Sequence, residues 1–266
     1  MTELMTPLEA RVFFAGNMAA TATNADLLIA GGRASSAITM NLSKPAPVER
    51  QFGFNRGALG WRAGFADYPA GSESSFELDS GIRKLPSGLG RAGRKGFFIT
   101  GNNHSDDLFM FLKKRLGPAD GIKAGQMYRV SYDIAFASEA PEGCSGIGGS
   151  PGNSVFLKAG ADQREPKAVV VDGNRVMNVD KGNQGEGDKA ASVAGDISNG
   201  IPCDEAMQNP GGPPWRIVHR QHVHPVLRKA SRTGTLWLLV GTDSGYEGVT
   251  RLYYTKIEVS LVPVMR

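Results

Sequence analysis

Carboxylates, amides and glycines crowd three short stretches of this chain, a combination suited to holding a hard cation or a polyol. The stretches are Gly101–Asp107 (GNNHSDD), Val179–Gly185 (VDKGNQG) and Gly241–Gly248 (GTDSGYEG). Glycine lets each stretch bend sharply, while Asn and Asp supply oxygens. Calcium takes roughly six to eight oxygens, more than one such loop provides, so several loops must converge. The candidate metal pool is Asp67, Asp106, Asp107, Asp180, Asp243 and Glu247, with calcium as the expected ion. A sugar ring asks for something different, an aromatic face for its C–H side and polar partners for its hydroxyls. Tyr68 and Tyr246 lie in loops beside acidic residues, and with Asn103, Asp106 and Asp243 they form the candidate ligand-binding set. A tyrosine that packs its own loop down is the plainer alternative.

Other constellations carry less. Gly148-Gly149-Ser150-Pro151-Gly152 spells a nucleophile elbow, but the oxyanion hole there needs the N–H of the residue after the serine, and proline has none. His222 and His224 share one face of a strand, as in cupin metal sites, whereas His219 has the opposite parity and no glutamate follows within ten residues. Exposed histidines on an outer sheet face are the alternative. Asp106 and Asp107 are adjacent, so on extended chain they point apart. A glycosidase pair would have to be made across loops, as Asp106 with Asp180 or Asp243.

Strands must position these loops. Tyr128, Val130, Tyr132, Ile134 and Phe136 alternate with Arg129, Ser131, Asp133 and Ala135, which predicts a strand with one apolar face turned to the core. Short runs at Phe52–Phe54, Trp61–Ala66, Phe76–Asp79, Phe97–Thr100, Leu108–Leu112, Ser154–Ala159, Ala168–Val171, Arg216–Val223, Leu236–Val240 and Leu252–Leu261 read the same way. The last two predict a long-looped hairpin across Gly241–Thr250, with the Trp61 strand as its neighbour. Trp61, Trp215 and Trp237 sit in strand-like sequence and read as core. No segment keeps a helical period over three turns, so the fold class is all-β, an antiparallel β-sandwich of jelly-roll type.

The 266 residues fit one large β domain, predicted over 51–266, after an N-terminal arm or degenerate leader over 1–50 with a short helix near Pro7 to Asn17. Thirty basic residues against 26 acidic ones leave a net charge of +4, and the basic groups, such as Arg91–Lys95, are short. That argues against nucleic acid as a partner. No run approaches the ~18 apolar residues of a membrane span. Cys144 and Cys203 both lie in loop-like sequence and fit one disulfide in an oxidising compartment, or else two unrelated thiols.

Phe52-Gly53-Phe54 with Gly60-Trp61, the strand pair Leu108–Lys114 and Gly125–Ile134, and the closing Leu252–Val259 resemble non-catalytic carbohydrate-binding modules of the jelly-roll type. Residues 51–263 are also similar to an uncharacterised family of secreted bacterial proteins, through Gly64–Pro69, Asn103–Asp107, Gly146–Gly152, Asn178–Gln184 and Gly241–Glu247. The chain departs from such modules at Thr255-Lys256, where they often carry acidic residues. The resemblance implies an extracytoplasmic, non-catalytic module for a glycan or other polyol, with calcium holding its loops. A glycan-cleaving jelly roll or cupin-like metalloenzyme is the enzymatic alternative, and a structural or adhesive surface protein is the third.

Overall fold

The computed structural model describes residues 46–90 and 93–265. The arm or leader expected over 1–50 and the helix near Pro7 to Asn17 lie outside the described residues, except for the last five positions of that span. The strands, in chain order, are β1 (Val48–Gly53), β2 (Arg62–Ala66), β3 (Tyr68–Pro69), β4 (Asp79–Lys84), β5 (Lys95–Asn102), β6 (Leu108–Leu116), β7 (Met127–Ser138) and β8 (Val155–Asp162). They continue as β9 (Ala168–Val171), β10 (Asn174–Met177), β11 (Ala191–Asp196), β12 (Arg216–Val223), β13 (Arg228–Lys229), β14 (Leu236–Ser244) and β15 (Val249–Val264), with one short helix, α1 (Cys203–Met207), before β12.

They make an antiparallel β-sandwich of jelly-roll type. One sheet runs β12-β7-β15-β5-β4, with β1 on β15 and β13 on β7; the facing sheet runs β11-β8-β14-β6-β2. Tyr128, Val130, Tyr132, Ile134 and Phe136 all point into the core between them, as their alternation predicts. There they meet Leu108, Met110 and Leu112 of β6 and Leu236, Leu238 and Val240 of β14.

β14 is buried along its whole length, on both faces. Its second face is covered because the segment 165–190, with the small sheet β3-β10-β9, folds over the outside of the five-stranded sheet. Phe109, Phe111, Leu239, Val179 and Ala190 form a second apolar cluster in that layer. The outer face of the seven-stranded sheet carries no such cover among the described residues.

Three sequence expectations change. β14 and β15 are not a hairpin: Gly245–Gly248 carries the chain from one sheet to the other. The edge partners of β15 are β5 and β1, and the Trp61 segment leads instead into β2, which pairs with β6. Phe76–Leu78 is turn rather than strand, with Phe76 buried as a plug.

β15 contains a bulge between Tyr254 and Lys256, and its edge partner changes there, from β5 before it to β1 after it. The bulge also resets parity: Leu252 and Tyr254 face the core before it, and Ile257, Val259 and Leu261 after it.

Cys144 and Cys203 form a disulfide, with Cα atoms 4.9 Å apart and a sequence separation of 59. Closing a loop of that length restricts the unfolded chain by about 4 kcal/mol in the chain-entropy treatment. Replacing both cysteines by serine is expected to lower the melting temperature. Thiol titration of the unreduced, denatured protein is expected to find none; two titrating thiols would contradict the bond.

Candidate functional site

The three loops singled out in the sequence do meet, at one end of the sandwich. Asn103 N–H donates to Gly248 O at 2.9 Å, Ser105 Oγ to Asp67 O at 3.3 Å, and Gln184 Nε2 to Asp106 O at 2.6 Å. Their side chains, however, mostly turn inward. Asn103 is 1% exposed and spends its amide on Ser244 O and Tyr246 O, at 3.0 and 2.9 Å. Tyr68 is 5% exposed and packs on Phe76, and burial together with Glu73 raises its hydroxyl pKa. Asp243 is fully buried. As arranged, all three side chains are engaged within the protein. Asp106 is exposed, and Glu247 is half-buried at the same rim.

The acidic pool converges in part, and what it surrounds is lysine. Lys158 Nζ donates to Lys181 O at 3.0 Å, Glu186 O at 2.8 Å and Asp243 Oδ2 at 2.6 Å, which satisfies all three of its N–H groups. Lys181 Nζ lies 2.8 Å from Asp243 Oδ2 and 3.0 Å from Asp67 Oδ2, with Asp107 Oδ1 at 3.9 Å. Asp180 is exposed beside this group. Among the described residues, no set of three or more Asp, Glu, His or Cys is arranged to hold a metal ion.

Charge balance explains the protonation in this cluster. Three carboxylates face two ammonium groups, one negative charge too many. Burial pushes the Asp107 carboxyl up to about 7; Asp243 and Asp67 add to the shift and Lys181 opposes it. Asp107 Oδ1 and Asp243 Oδ1 are both buried and take no hydrogen bond from another group, so a proton held between these two carboxyls satisfies both. Burial works against the Lys181 ammonium, yet Asp243, Asp67 and Asp107 together hold its pKa above the ordinary value. Burial lowers that of Lys158, with Asp243 opposing.

The histidine pair is bridged by a hydroxyl. Ser192 Oγ lies 2.8 Å from His222 Nε2 and 2.7 Å from His224 Nδ1, and His224 Nε2 is 2.8 Å from Lys189 O. A carbonyl only accepts, so His224 Nε2 donates to it, Nδ1 accepts from Ser192, and Ser192 accepts from His222. Burial pushes His222 down to about 4, with His224 adding to the shift. His224 is fully buried, not exposed on an outer face as the sequence suggested. His219 points the other way, 4.0 Å from Asp133.

Accessible aromatics stand instead on the uncovered face of the seven-stranded sheet. Tyr253 and Trp215 are both half-buried, edge to face, with ring centres 5.3 Å apart. Behind Tyr253 lies Phe98, capped by the Arg83 guanidinium at 4.3 Å from its ring. Arg251 pairs with Glu139 beside them, and burial raises the Glu139 pKa while Arg251 opposes it. This strip opens on a cleft of about 390 Å³ lined by Tyr246, Pro213, Glu139, Arg251 and the Cys144–Cys203 bond. Tyr246 is fixed there by glycine: a Cβ at Gly146 would stand 2.5 Å from its Cε2. Sequence reading passed over Tyr253 and took Trp215 as core. The available signal was parity, since Tyr253 alternates with the core residues Leu252 and Tyr254.

No family model matches the sequence, and comparison with curated proteins gives no match. The likenesses are to solved structures. One is a carbohydrate-binding module, TmCBM61, in complex with β-1,4-galactotriose, at 12% identity and a TM-score of 0.35, covering 78% of this chain and 92% of that one. Another is TmCBM27, a module described for mannan recognition, at 13% and 0.34, covering 83% and 100%. A third is the K1 cleaved adhesin domain of Lys-gingipain from Porphyromonas gingivalis W83, at 8% and 0.32, covering 80% and 96%.

Two outcomes follow from the lysine cluster. Lys158→Met leaves Asp243 buried with one cation fewer and is expected to destabilise the fold by about 3–5 kcal/mol in denaturant unfolding. Asp107 binds its proton more tightly in the folded chain, at about 7 against 3.8. Its stabilising contribution is therefore full below 3.8 and falls as pH rises through about 7. Asp107→Asn should remove that loss, so its melting temperature should change less than that of the wild type between about pH 5 and about pH 8.

Proposed function

We propose that this chain is an extracytoplasmic, non-catalytic glycan-binding module whose ligand lies on the outer face of the seven-stranded sheet. Tyr253 and Trp215 supply the stacking surface, and the cleft beside Tyr246 receives one end of the ligand. The observation that carries the reading is this aromatic pair, accessible on the sheet face that the described residues leave uncovered. A sugar ring offers an apolar C–H side to an aromatic face, and its hydroxyls find both acceptors and donors in Glu139 and Arg251. The disulfide supports an oxidising compartment.

A glycan array followed by titration calorimetry tests the proposal. Tyr253→Ala and Trp215→Ala are each expected to weaken binding by about 1 kcal/mol or more while keeping the melting temperature close to wild type. Tyr68→Ala, by contrast, empties a core site and should lower the melting temperature strongly. Undiminished binding in both face variants would move the site elsewhere.

A glycan-cleaving reading has one observation in its favour. Asp107, with its raised pKa, borders a depression of about 360 Å³ with Asp67, Asp180 and Asp188. Release of reducing ends from a bound glycan, abolished in Asp107→Asn, would replace the binding reading with that one.

A further inference from the structure

Where the edge of β15 passes from β5 to β1, the two partners leave a groove of about 640 Å³ on the same outer face. Its walls carry Arg56, Arg94, Lys95 and Lys256, with His219, and no carboxylate. Lys256 is paired with Glu258 at 3.1 Å. Among the described residues, Arg56, Arg94 and Lys95 enter no ion pair. The whole chain has a net charge of only +4, so four permanent cations in one groove are a concentration rather than an average. Gln51, Asn55 and Thr255 add neutral polar groups to the same walls.

The groove adjoins the aromatic strip. Ile217 of the groove, in β12, lies two residues after Trp215, which immediately precedes that strand, and Ala135 lies two residues along β7 from Ala137, the pairing partner of Tyr253. Two residues of strand span about 7 Å, so the near wall of the groove begins within one sugar unit of the aromatic pair.

Resting on the binding proposal above, we infer that the glycan is an acidic one, carrying carboxylate or sulfate groups that the Arg56–Arg94–Lys95 groove receives while a neutral unit stacks on Tyr253 and Trp215. The face does not suit a nucleic acid. Glu139 sits at the strip's far end, where it accepts sugar hydroxyls and repels phosphates. The two rings stand at 80° to each other and offer no parallel platforms for successive bases.

The test is calorimetric titration of the full chain with four probes: an oligouronate, a sulfated oligosaccharide, a neutral oligosaccharide of the same length, and a single-stranded oligonucleotide. Tighter binding of the uronate or the sulfated chain than of the neutral one is expected, and the stronger of the two names the anion. Added salt should weaken it. Arg94→Ala with Lys95→Ala should weaken it about tenfold without lowering the melting temperature. Equal binding of acidic and neutral glycans, unchanged by the double variant, would overturn this inference and leave the glycan-binding proposal standing. Binding of the oligonucleotide as tight as that of the acidic glycans, and insensitive to Tyr253→Ala, would overturn it in favour of a general polyanion surface. No binding of any probe would sink both.

Discussion

Asp243 sits at the end of a strand buried on both faces, and the two lysines that neutralise it come from different parts of the chain. Lys158 projects from the neighbouring strand β8, while Lys181 belongs to the segment folded over that sheet. A bare carboxylate at this depth would be prohibitive, and so would either ammonium alone. Each of the three groups is tolerable only because the other two are present. The backbone carbonyls of Lys181 and Glu186 take the remaining protons of Lys158, so the covering segment is tied to the sheet by main chain as well as side chain.

That tie divides the labour of the two outer faces. The five-stranded sheet is closed by its own chain, with Phe109, Phe111 and Leu239 dried beneath residues 165–190. The seven-stranded sheet keeps its outer face, where long side chains stand over small ones: Ala137, buried, lies between its pairing partners Ile217 and Tyr253. Recognition on a rigid sheet asks for such a surface, held from behind by a packed core and free in front.

The sequence made the strands legible wherever one face was apolar and the other polar. β7 is the clear case, because Tyr128 through Phe136 alternate without exception. Where both faces are buried, alternation vanishes, and β14 showed only a run of apolar residues with no sign of which sheet it joins. The hairpin expected across Gly241–Thr250 failed for that reason: short-range turn chemistry cannot distinguish a turn within a sheet from a crossing between sheets. The acidic loops were legible as loops, and their meeting at one end was foreseeable. What they meet was not, since Lys158 lies 85 residues from Asp243 and Lys181 lies 62 residues from it. Asn103 and Tyr68 looked like ligand groups because polarity in a loop reads alike whether it serves a partner or the chain's own carbonyls.

The bulge in β15 has a consequence for how this strand can change. Tyr254 and Ile257 both face the core although they are three positions apart, so the strand's sequence is written in two phases joined at the bulge. Inserting one further residue there, with the bulge kept, would throw the second half out of phase with the core. Lys256 and Glu258 would then fall where Ile257 and Val259 now pack, and the apolar residues would be turned to water along the β1 edge. Substitutions can accumulate on either side of this joint, but a residue added across it turns the apolar face of the second half away from the core.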